Sequence, residues 1–373
     1  MSLLLAFLLA GSLVYCILIL AAVHSYVGHA LACPYEAVPP ITILKPLSGA
    51  DEGLEENLRS FFEQQYLTFE IVFAARSAAD PAVPIVETLQ REFPRIPCQL
   101  VITGEPPYAN AKVFSLARML PSARHDLIVM SDSDIRVTPN FLSDVAAEFA
   151  DPTVALATCP YRAIAGRSLW SRLEAVGMNT EFLGGLLVAR MLLGVDFAVG
   201  PTIVARRRVL DAIRFERLRE YLAEDFVMGK IASEAGFRVI LSRTIVDHRI
   251  GSQGFATNMA HRLRWARSTR RSRPLGYVGQ VFTNPLPIAL LLCLIQPVWW
   301  PVLVLALVVR SMAAWAVSRS VLRQQVRWHL LPVQDLLSFL FWIGGFFGNT
   351  IVWRGRRYYL HSDGRFSPIR GVE

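Results

Sequence analysis

Apolar runs lie at both ends of the chain and enclose a more polar middle. Residues 1–23 contain no Asp, Glu, Lys or Arg, and at about 1.5 Å per residue they can cross the ~30 Å hydrocarbon core of a bilayer. A second uncharged run covers residues 285–309, and a third apolar run covers 336–353. We therefore predict an N-terminal transmembrane anchor (1–27) and C-terminal transmembrane segments (285–353). A cleaved signal peptide is the alternative for the first run, which is long for one and has no basic start.

Strand-like and helix-like patterns alternate through residues 39–279. Apolar, β-branched runs predict strands at residues 41–44, 69–75, 98–103, 126–130, 154–159 and 195–207. Apolar spacings of three and four predict helices at residues 53–64, 84–93, 110–120, 169–193 and 223–237. Such alternation favours parallel strands joined by crossover helices. The predicted fold class is α/β, with a Rossmann-like, mainly parallel sheet in one domain flanked by transmembrane helices.

The composition supports a membrane protein. Hydrophobic residues make up 53% of the 373 residues, charged residues only 18%, and the mean hydropathy is +0.38, which is too apolar for an ordinary soluble protein. The five cysteines are scattered and form no CxxC pair. We predict neither a disulfide framework nor a zinc site, and a reducing cytoplasm suits these thiols.

Basic residues lie beside the apolar runs. The formal net charge is +8, with clusters at 262–273 and 354–357, and the positive-inside rule places both clusters in the cytoplasm. We predict a multi-pass protein with a cytoplasmic middle domain and a basic C-terminal tail (354–373). Three simple spans would put the basic loop 319–327 outside, so either residues 294–301 (LIQPVWWP) bend into a hairpin or the loop lies in the interface. Charge beside spans does not indicate nucleic-acid binding.

Two acids follow the fourth predicted strand. Asp132 and Asp134 are two residues apart, so on an extended backbone both side chains point to the same side. Ligands of open α/β sheets bind outside the carboxyl ends of the strands, and Mg²⁺ and Mn²⁺ prefer oxygen ligands. The pair therefore predicts a site for Mg²⁺ or Mn²⁺. A solvated turn, with Ser133 or Asp134 capping the next helix, is the alternative.

More charged residues follow downstream. Glu224 and Asp225 open a predicted helix, and the run HRLRWARSTRR covers residues 261–271. Taken alone, the acids complement a helix amino terminus, and the basic run fits a membrane-proximal patch. Both follow the acid pair in order, however, which favours one shared site.

The ordered motifs resemble those of membrane-bound family 2/21-type glycosyltransferases. That series reads D, DxD, [ED]D and (Q/R)xxRW, and here it is matched by Asp80, Asp132-Ser133-Asp134, Glu224-Asp225 and His261-Arg262-Leu263-Arg264-Trp265. The stretches 43–66, 131–139 and 223–229 are most similar to the ceramide glucosyltransferase branch and its bacterial relatives in hopanoid synthesis. His261 replaces the usual Gln or Arg of the last motif. Asp134 is often lacking in the animal enzymes, which favours a bacterial relative.

The resemblance implies a role for each matched residue. It implies that Asp225 is the catalytic base, with Glu224 as its neighbour, and that Asp132 and Asp134 bind the metal. It implies that the nucleotide-sugar is bound by Asp80, Lys112, Asp132, His261, Arg264 and Trp265.

The resemblance also implies an activity. A GT-A domain at 39–279 would use Mg²⁺ or Mn²⁺ to transfer a hexose or N-acetylhexosamine from a UDP-sugar, with inversion, to the hydroxyl of a membrane lipid. A hopanoid polyol and ceramide both suit as acceptors, and a bacterial inner membrane is the expected location.

Three other functions remain as alternatives. A processive polysaccharide synthase shares the acids but usually needs more spans. A DxD phosphatase normally follows its second Asp with x-Thr or x-Val, whereas Ile135-Arg136 follows here. A non-catalytic nucleotide-binding membrane protein is the third.

Overall fold

Residues 2–28, 38–353 and 356–369 are described by the computed structural model of the chain. Its strands are β1 (Ile41–Pro46), β2 (Phe69–Ala75), β3 (Cys98–Ile102), β4 (Leu127–Ser131), β5 (Ile135–Arg136), β6 (Val154–Thr158), β7 (Tyr161–Ile164), β8 (Thr202–Arg206), β9 (Arg238–Leu241), β10 (Val246–Arg249), β11 (Thr350–Trp353), β12 (Arg356–Leu360) and β13 (Phe366–Pro368).

Fourteen α-helices lie within the described ranges. They are α1 (Ser2–Val27), α2 (Leu54–Phe62), α3 (Val83–Glu92), α4 (Ala111–Met119), α5 (Phe141–Glu148), α6 (Leu169–Gly177), α7 (Leu183–Leu193), α8 (Arg207–Ile213), α9 (Glu224–Glu234), α10 (Phe255–Ser272), α11 (Pro274–Gly279), α12 (Pro285–Ile295), α13 (Trp300–Ala316) and α14 (Leu331–Gly345). A π-helical turn, Met178–Phe182, joins α6 to α7, and another, Val317–Val321, extends α13.

A seven-stranded sheet forms the centre of the middle domain, in the order β3-β2-β1-β4-β8-β6-β9. The pairs β2–β3, β1–β2, β1–β4 and β6–β9 are parallel, while β8 runs antiparallel between β4 and β6. The expected mainly parallel α/β sheet is confirmed. The predicted strand at 195–207 begins only at Thr202, because Gly200 and Pro201 form a turn before it.

Side chains alternate between the two faces of the sheet, as the pleat requires. Ile41 and Ile43 of β1 pack with α2, α3 and α5, whereas Leu44 packs on the opposite face with α4, α8 and α9. A second sheet, in the order β5-β10-β7, lies beyond the end of β4. It brings β7 and β10, which are distant in sequence, next to the Asp132–Asp134 turn.

Within the described part of the chain, three helical segments are long and apolar enough to cross a membrane: Ser2–Val27, Leu169–Leu193 and Pro297–Val321. The pair Pro274–Thr283 and Pro285–Ile295 also passes this test, but it bends by 61°. Helix α1 packs against α7, α12 and α13. Its end is fixed to the middle domain, because the Tyr26 hydroxyl donates to the Ser242 carbonyl at 2.6 Å and Arg243 donates to the Tyr26 carbonyl at 2.6 Å.

The uncharged run 285–309 is divided in two. Helix α12 ends at Ile295, and α13 begins at Trp300 and packs back against α12. The loop after α13 contacts the middle domain, since Arg162 of β7 donates to the Leu322 carbonyl at 3.2 Å. The chain therefore bends within residues 294–301, and the end of α13 lies beside β7 of the middle domain.

The third apolar run does not form one continuous helix. Helix α14 ends at Gly345, and Gly348, with a left-handed φ of 74°, turns the chain into strand β11. Much of the expected C-terminal tail is also folded, because β11, β12 and β13 form an antiparallel sheet with Tyr358, Leu360 and Phe366 buried. Arg354 and Cys33 lie outside the described residues, and the four described cysteines are free.

Candidate functional site

The turn after β4 places Asp132 and Asp134 at the carboxyl end of the sheet. The Asp132 amide donates to the Pro201 carbonyl at 2.9 Å, which ties this turn to the one before β8. Beneath it lies Lys45 of β1, fully buried, with its ammonium donating to the Asp132 carbonyl and lying 3.8 Å from the centre of the Phe61 ring. Burial lowers the pKa of Lys45 to about 7. A buried cation thus supports the acidic turn from behind.

Lys112 joins two of the predicted site carboxylates. Its ammonium lies 2.7 Å from Asp132 Oδ1 and 3.2 Å from Glu224 Oε1, and it also donates to the Gly200 carbonyl at 3.2 Å. Asn110 caps helix α4 by accepting from the Val113 amide, so it fixes the helix end that carries Lys112. Burial opposes the charge of Lys112, but the two carboxylates outweigh it and raise its pKa.

Asp134 has a different partner. Its Oδ2 atom lies 3.1 Å from His248 Nε2 on β10, and the His248 ring packs edge-on against Tyr161. Burial works against ionisation of Asp134, but His248 outweighs it and lowers the pKa of this carboxyl. Asp134 Oδ1 is buried and has no hydrogen-bond partner among the described residues.

Helix α9 begins with Glu224 and Asp225 and is held close to the β8 turn. Two glycines permit the approach: a Cβ on Gly229 would lie 2.3 Å from the backbone of Phe197, and a Cβ on Gly200 would lie 2.7 Å from Asp225 Oδ2. Burial, followed by the charge of Glu224, raises the pKa of Asp225 to about 7. Asp225 is therefore suited to accept a proton near neutral pH.

These groups face one cavity of about 2030 Å³ that continues between the membrane helices. Its lining includes Lys112, Asp132, Asp134, Glu224, Asp225, His261, Arg264 and Trp265. Toward the helices it is bounded by Tyr15 of α1, Leu186 of α7 and Phe282. The same cavity is thus charged at the edge of the sheet and apolar between the helices.

The last motif lies on α10. His261 Nδ1 lies 2.8 Å from Glu174 Oε1, and the His261 ring packs edge-on against Trp265. Trp265 in turn packs edge-on against Phe182 of the π-helical turn. His261 thus links α10 to α6, while Trp265 forms part of the cavity wall.

Asp80 differs from the other predicted site residues, because it is absent from the cavity lining. Its Oδ1 accepts from the amides of Gly49 and Ala82, both at 3.0 Å. It therefore fixes the loop after β1, whose neighbouring Ser48 does line the cavity.

Sequence reasoning missed three parts of the site. Lys45 and His248 were not predicted as site residues, although Lys45 lies in the stretch 43–66 that resembles the family, and the apolar strand around it marks it as a buried charge. The C-terminal sheet also forms part of the cavity wall through Trp353, Tyr358 and Arg365. Arg270 and Arg271 of α10 hold this sheet by donating to Asn349 Oδ1 at 2.8 and 2.6 Å.

The carboxylates fit a divalent metal that shares its coordination with a ligand. Among the described residues, no group of three or more His, Cys, Asp and Glu side chains is arranged to hold a metal. Asp132 and Asp134 nevertheless offer two carboxylates, and the buried Oδ1 of Asp134 lacks a partner. Mg²⁺ is commonly bound by one or two carboxylates together with substrate phosphates.

The fold and this site define a GT-A glycosyltransferase architecture. A solved mannosyltransferase, PcManGT from Pyrobaculum calidifontis in complex with GDP-Man and Mn²⁺, has a TM-score of 0.54 at 18% identity, covering 92% of this chain and 97% of that chain. The chain belongs to glycosyl transferase family 21, whose model matches residues 4–366. The predicted family resemblance is therefore confirmed.

Two curated relatives come from Caenorhabditis elegans. Ceramide glucosyltransferase 1 is 29% identical over 235 residues, which cover 62% of this chain and 50% of that protein. Ceramide glucosyltransferase 3 is 24% identical over 348 residues, which cover 89% of this chain and 75% of that protein. The chain thus spans about half the length of the first relative and three quarters of the second.

Proposed function

We propose that this protein transfers a hexose or N-acetylhexosamine from a UDP-sugar to the hydroxyl of a membrane lipid, with inversion at the anomeric carbon. One observation carries the proposal: Asp132, Asp134 and Asp225 face a single cavity that continues between apolar helices. A water-soluble donor can enter at the sheet edge, while a lipid can enter between the helices. The names of the curated relatives support glucose and ceramide, and a hopanoid polyol remains the second acceptor candidate.

Asp225 acts as the base. As the acceptor oxygen attacks C1 of the sugar, the bond from C1 to the diphosphate oxygen breaks, UDP leaves, and the hydroxyl proton passes to the Asp225 carboxylate. Attack from the face opposite the leaving group inverts the anomeric carbon. Proton transfer to a positioned carboxylate typically contributes ~10²–10⁴ in rate, and a pKa of about 7 keeps a large fraction of Asp225 ionised at neutral pH.

The remaining residues hold the donor. Lys112 and Arg264 supply positive charge toward the diphosphate, His261 fixes α10 against α6, and Trp265 shapes the acceptor entrance. Asp80 acts on the nucleotide by holding the loop after β1. A divalent Mg²⁺ or Mn²⁺ on Asp132 and Asp134 would stabilise the negative charge that develops on the leaving diphosphate.

The location is part of the proposal. We place the protein in a bacterial inner membrane as a multi-pass protein, with the middle domain in the cytoplasm, where UDP-sugars are made. The basic residues of α10 and the Leu322 loop lie on the side of the middle domain, which supports this orientation.

The test uses the full-length protein in lipid nanodiscs. UDP release and lipid products, followed by mass spectrometry, are measured with UDP-glucose or UDP-N-acetylglucosamine and with ceramide or a hopanoid polyol. We expect one donor and acceptor pair to give a glycolipid, and Asp225→Asn to abolish it while UDP binding persists. Transfer to soluble sugars with none to lipid would overturn the proposal, as would near-normal turnover by Asp225→Asn.

A further inference from the structure

A polar pocket lies in the cavity wall where α6, α10 and α14 meet. We call it the Gln334 pocket and define it by Gly177 of α6, Arg262 of α10, and Gln334 and Ser338 of α14, all of which line the cavity. Gln334 and Ser338 lie on α14, a mainly apolar helix whose other buried polar residue, Asp335, is paired with Arg310. The proposed transfer reaction assigns none of them a role.

Two atoms in this pocket lack partners. Gln334 is 1% exposed, and its Nε2 donates to Ser338 Oγ at 2.8 Å, while its Oε1 is buried with no hydrogen-bond partner in the described ranges. Arg262 Nη2 donates to the same hydroxyl at 3.3 Å, while Arg262 Nη1 is likewise buried and unpartnered there. Buried polar groups are rarely left unpaired. An acceptor and a donor thus remain for a ligand.

The fold keeps space for the Gln334 amide. A Cβ on Gly177 would lie 2.3 Å from Gln334 Nε2, so a larger residue there would displace the amide from its present position. Glycine is a poor helix former compared with alanine, yet it occupies the last position of α6. Gly177 therefore leaves room for the Gln334 amide at the cost of a weaker helix former.

The charge of the pocket is balanced. The Arg262 guanidinium lies over the Phe341 ring at 4.3 Å and interacts electrostatically with Glu174 and Glu181. Glu174 is also paired with His261, and Glu181 Oε1 accepts from Thr283 and Asn284 at 3.0 Å. Two carboxylates near one guanidinium disfavour an anionic ligand such as a lipid phosphate.

We propose that the Gln334 pocket binds the headgroup of the acceptor and selects a neutral lipid with both a hydrogen-bond donor and an acceptor, such as an amide, beside the hydroxyl that is glycosylated. The inference rests on the proposed function and adds the residues that recognise the acceptor. Gln334 accepts from the headgroup donor, and Arg262 donates to the headgroup acceptor. Both are specificity residues that bind the acceptor beside its reacting hydroxyl, and neither takes the proton, which passes to Asp225.

The test compares acceptors that differ in one group. The full-length protein in nanodiscs is assayed with a short-chain N-acyl amino alcohol, its N-methyl amide, and a fatty alcohol of equal length. We expect Gln334→Leu to raise the KM for the amide roughly ten- to hundredfold, as for loss of a buried hydrogen bond, with little change for the other two. The donor KM should stay within about twofold. Gln325→Leu, on the exposed loop before α14, is the matched control.

Binding without donor separates this inference from the proposed function. A fluorescent form of the amide lipid is titrated into native protein, Gln334→Leu and Gln325→Leu. If native protein transfers sugar to no lipid, the proposed function fails, and selective loss of amide binding in Gln334→Leu still supports the pocket. Equal behaviour of the two variants, or an equal loss for all three lipids, overturns it. Should Gln334→Leu not fold, Gly177→Ala, which displaces the amide, is judged by the same criteria.

Discussion

The most direct test of the catalytic assignment is Gly200→Ala, because it moves the proposed base without changing its chemistry. The new Cβ would lie 2.7 Å from Asp225 Oδ2 and 3.3 Å from its Cγ. An ordinary contact needs at least 3.4 Å, so the carboxylate must retreat by about 0.7 Å. Misplacing a reacting group by ~1 Å can cost ~10²-fold in rate. We expect kcat to fall roughly ten- to hundredfold.

The assay is steady-state transfer by purified protein in nanodiscs, with kcat and donor KM measured separately. Donor KM should change little, since Gly200→Ala leaves the acidic turn and its ligands in place. Gly279→Ala is the matched control, because Gly279 lines the same cavity and a Cβ there would have no neighbour within 4 Å.

The same substitution in an Asp225→Asn variant tests whether its effect acts through Asp225. In an Asp225→Asn protein the base is already absent, so adding Gly200→Ala should have little further effect, and the two changes should be far from additive. Full activity of Gly200→Ala, or additive losses in the double variant, would refute the assignment of Asp225 as base.

Three further predictions concern pH, metal and stability. First, kcat/KM should rise with pH through about 7 and then level off, because burial raises the pKa of Asp225 and the base must be ionised; a profile flat from pH 5 to 9, roughly, would contradict this. Second, Asp134→Asn should weaken Mn²⁺ binding, followed by electron paramagnetic resonance, at least about tenfold, since it alters a carboxylate with an unpartnered oxygen. Third, Arg310→Met should destabilise the protein by about 3–5 kcal/mol, because it leaves Asp335 buried without its bidentate partner at 2.8 and 2.9 Å; Arg310→Met with Asp335→Leu should recover thermal stability, and no recovery would count against the ion pair.

The predictable part of the fold is the part whose hydrophobic pattern is local. Strand β2 was predicted with its observed bounds, and β1, β3 and β4 within two residues at each end, because their apolar runs end in polar turns. Strands β5, β7 and β10 were missed. They have at most four residues each, and their pairing depends on partners far away in the sequence, such as His248 with Ile135. The antiparallel direction of β8 is a property of the sheet as a whole, and no local pattern encodes it.

The predictable part of the site is likewise its motifs. Asp132, Glu224 and Lys112 stand at strand ends or helix starts, where an α/β sheet gathers ligands, and the structure brings them into ion-pair contact. The C-terminal wall was not predicted, because residues 350–368 look like the end of a span followed by a basic tail. Their folding depends on the arginines of α10, which hold Asn349 only when both segments are in place.

The charge balance of the site explains why two of its supporting residues, Lys45 and His248, were not predicted as part of the site. Four carboxylates in one buried cluster would repel one another unless cations lay among them, and here Lys45, Lys112 and His248 supply that compensation from β1, α4 and β10. A divalent ion together with a UDP-sugar diphosphate adds about +2 and −2, so the loaded site keeps the balance already present, whereas either ligand alone would disturb it by two charges. Lys45 and His248 need only proximity to the carboxylates, which many positions can provide, so no fixed spacing to the acids identifies them in the sequence. The acids must hold the substrate and metal in a defined geometry. Their relative positions are therefore fixed, and the sequence shows them as a motif.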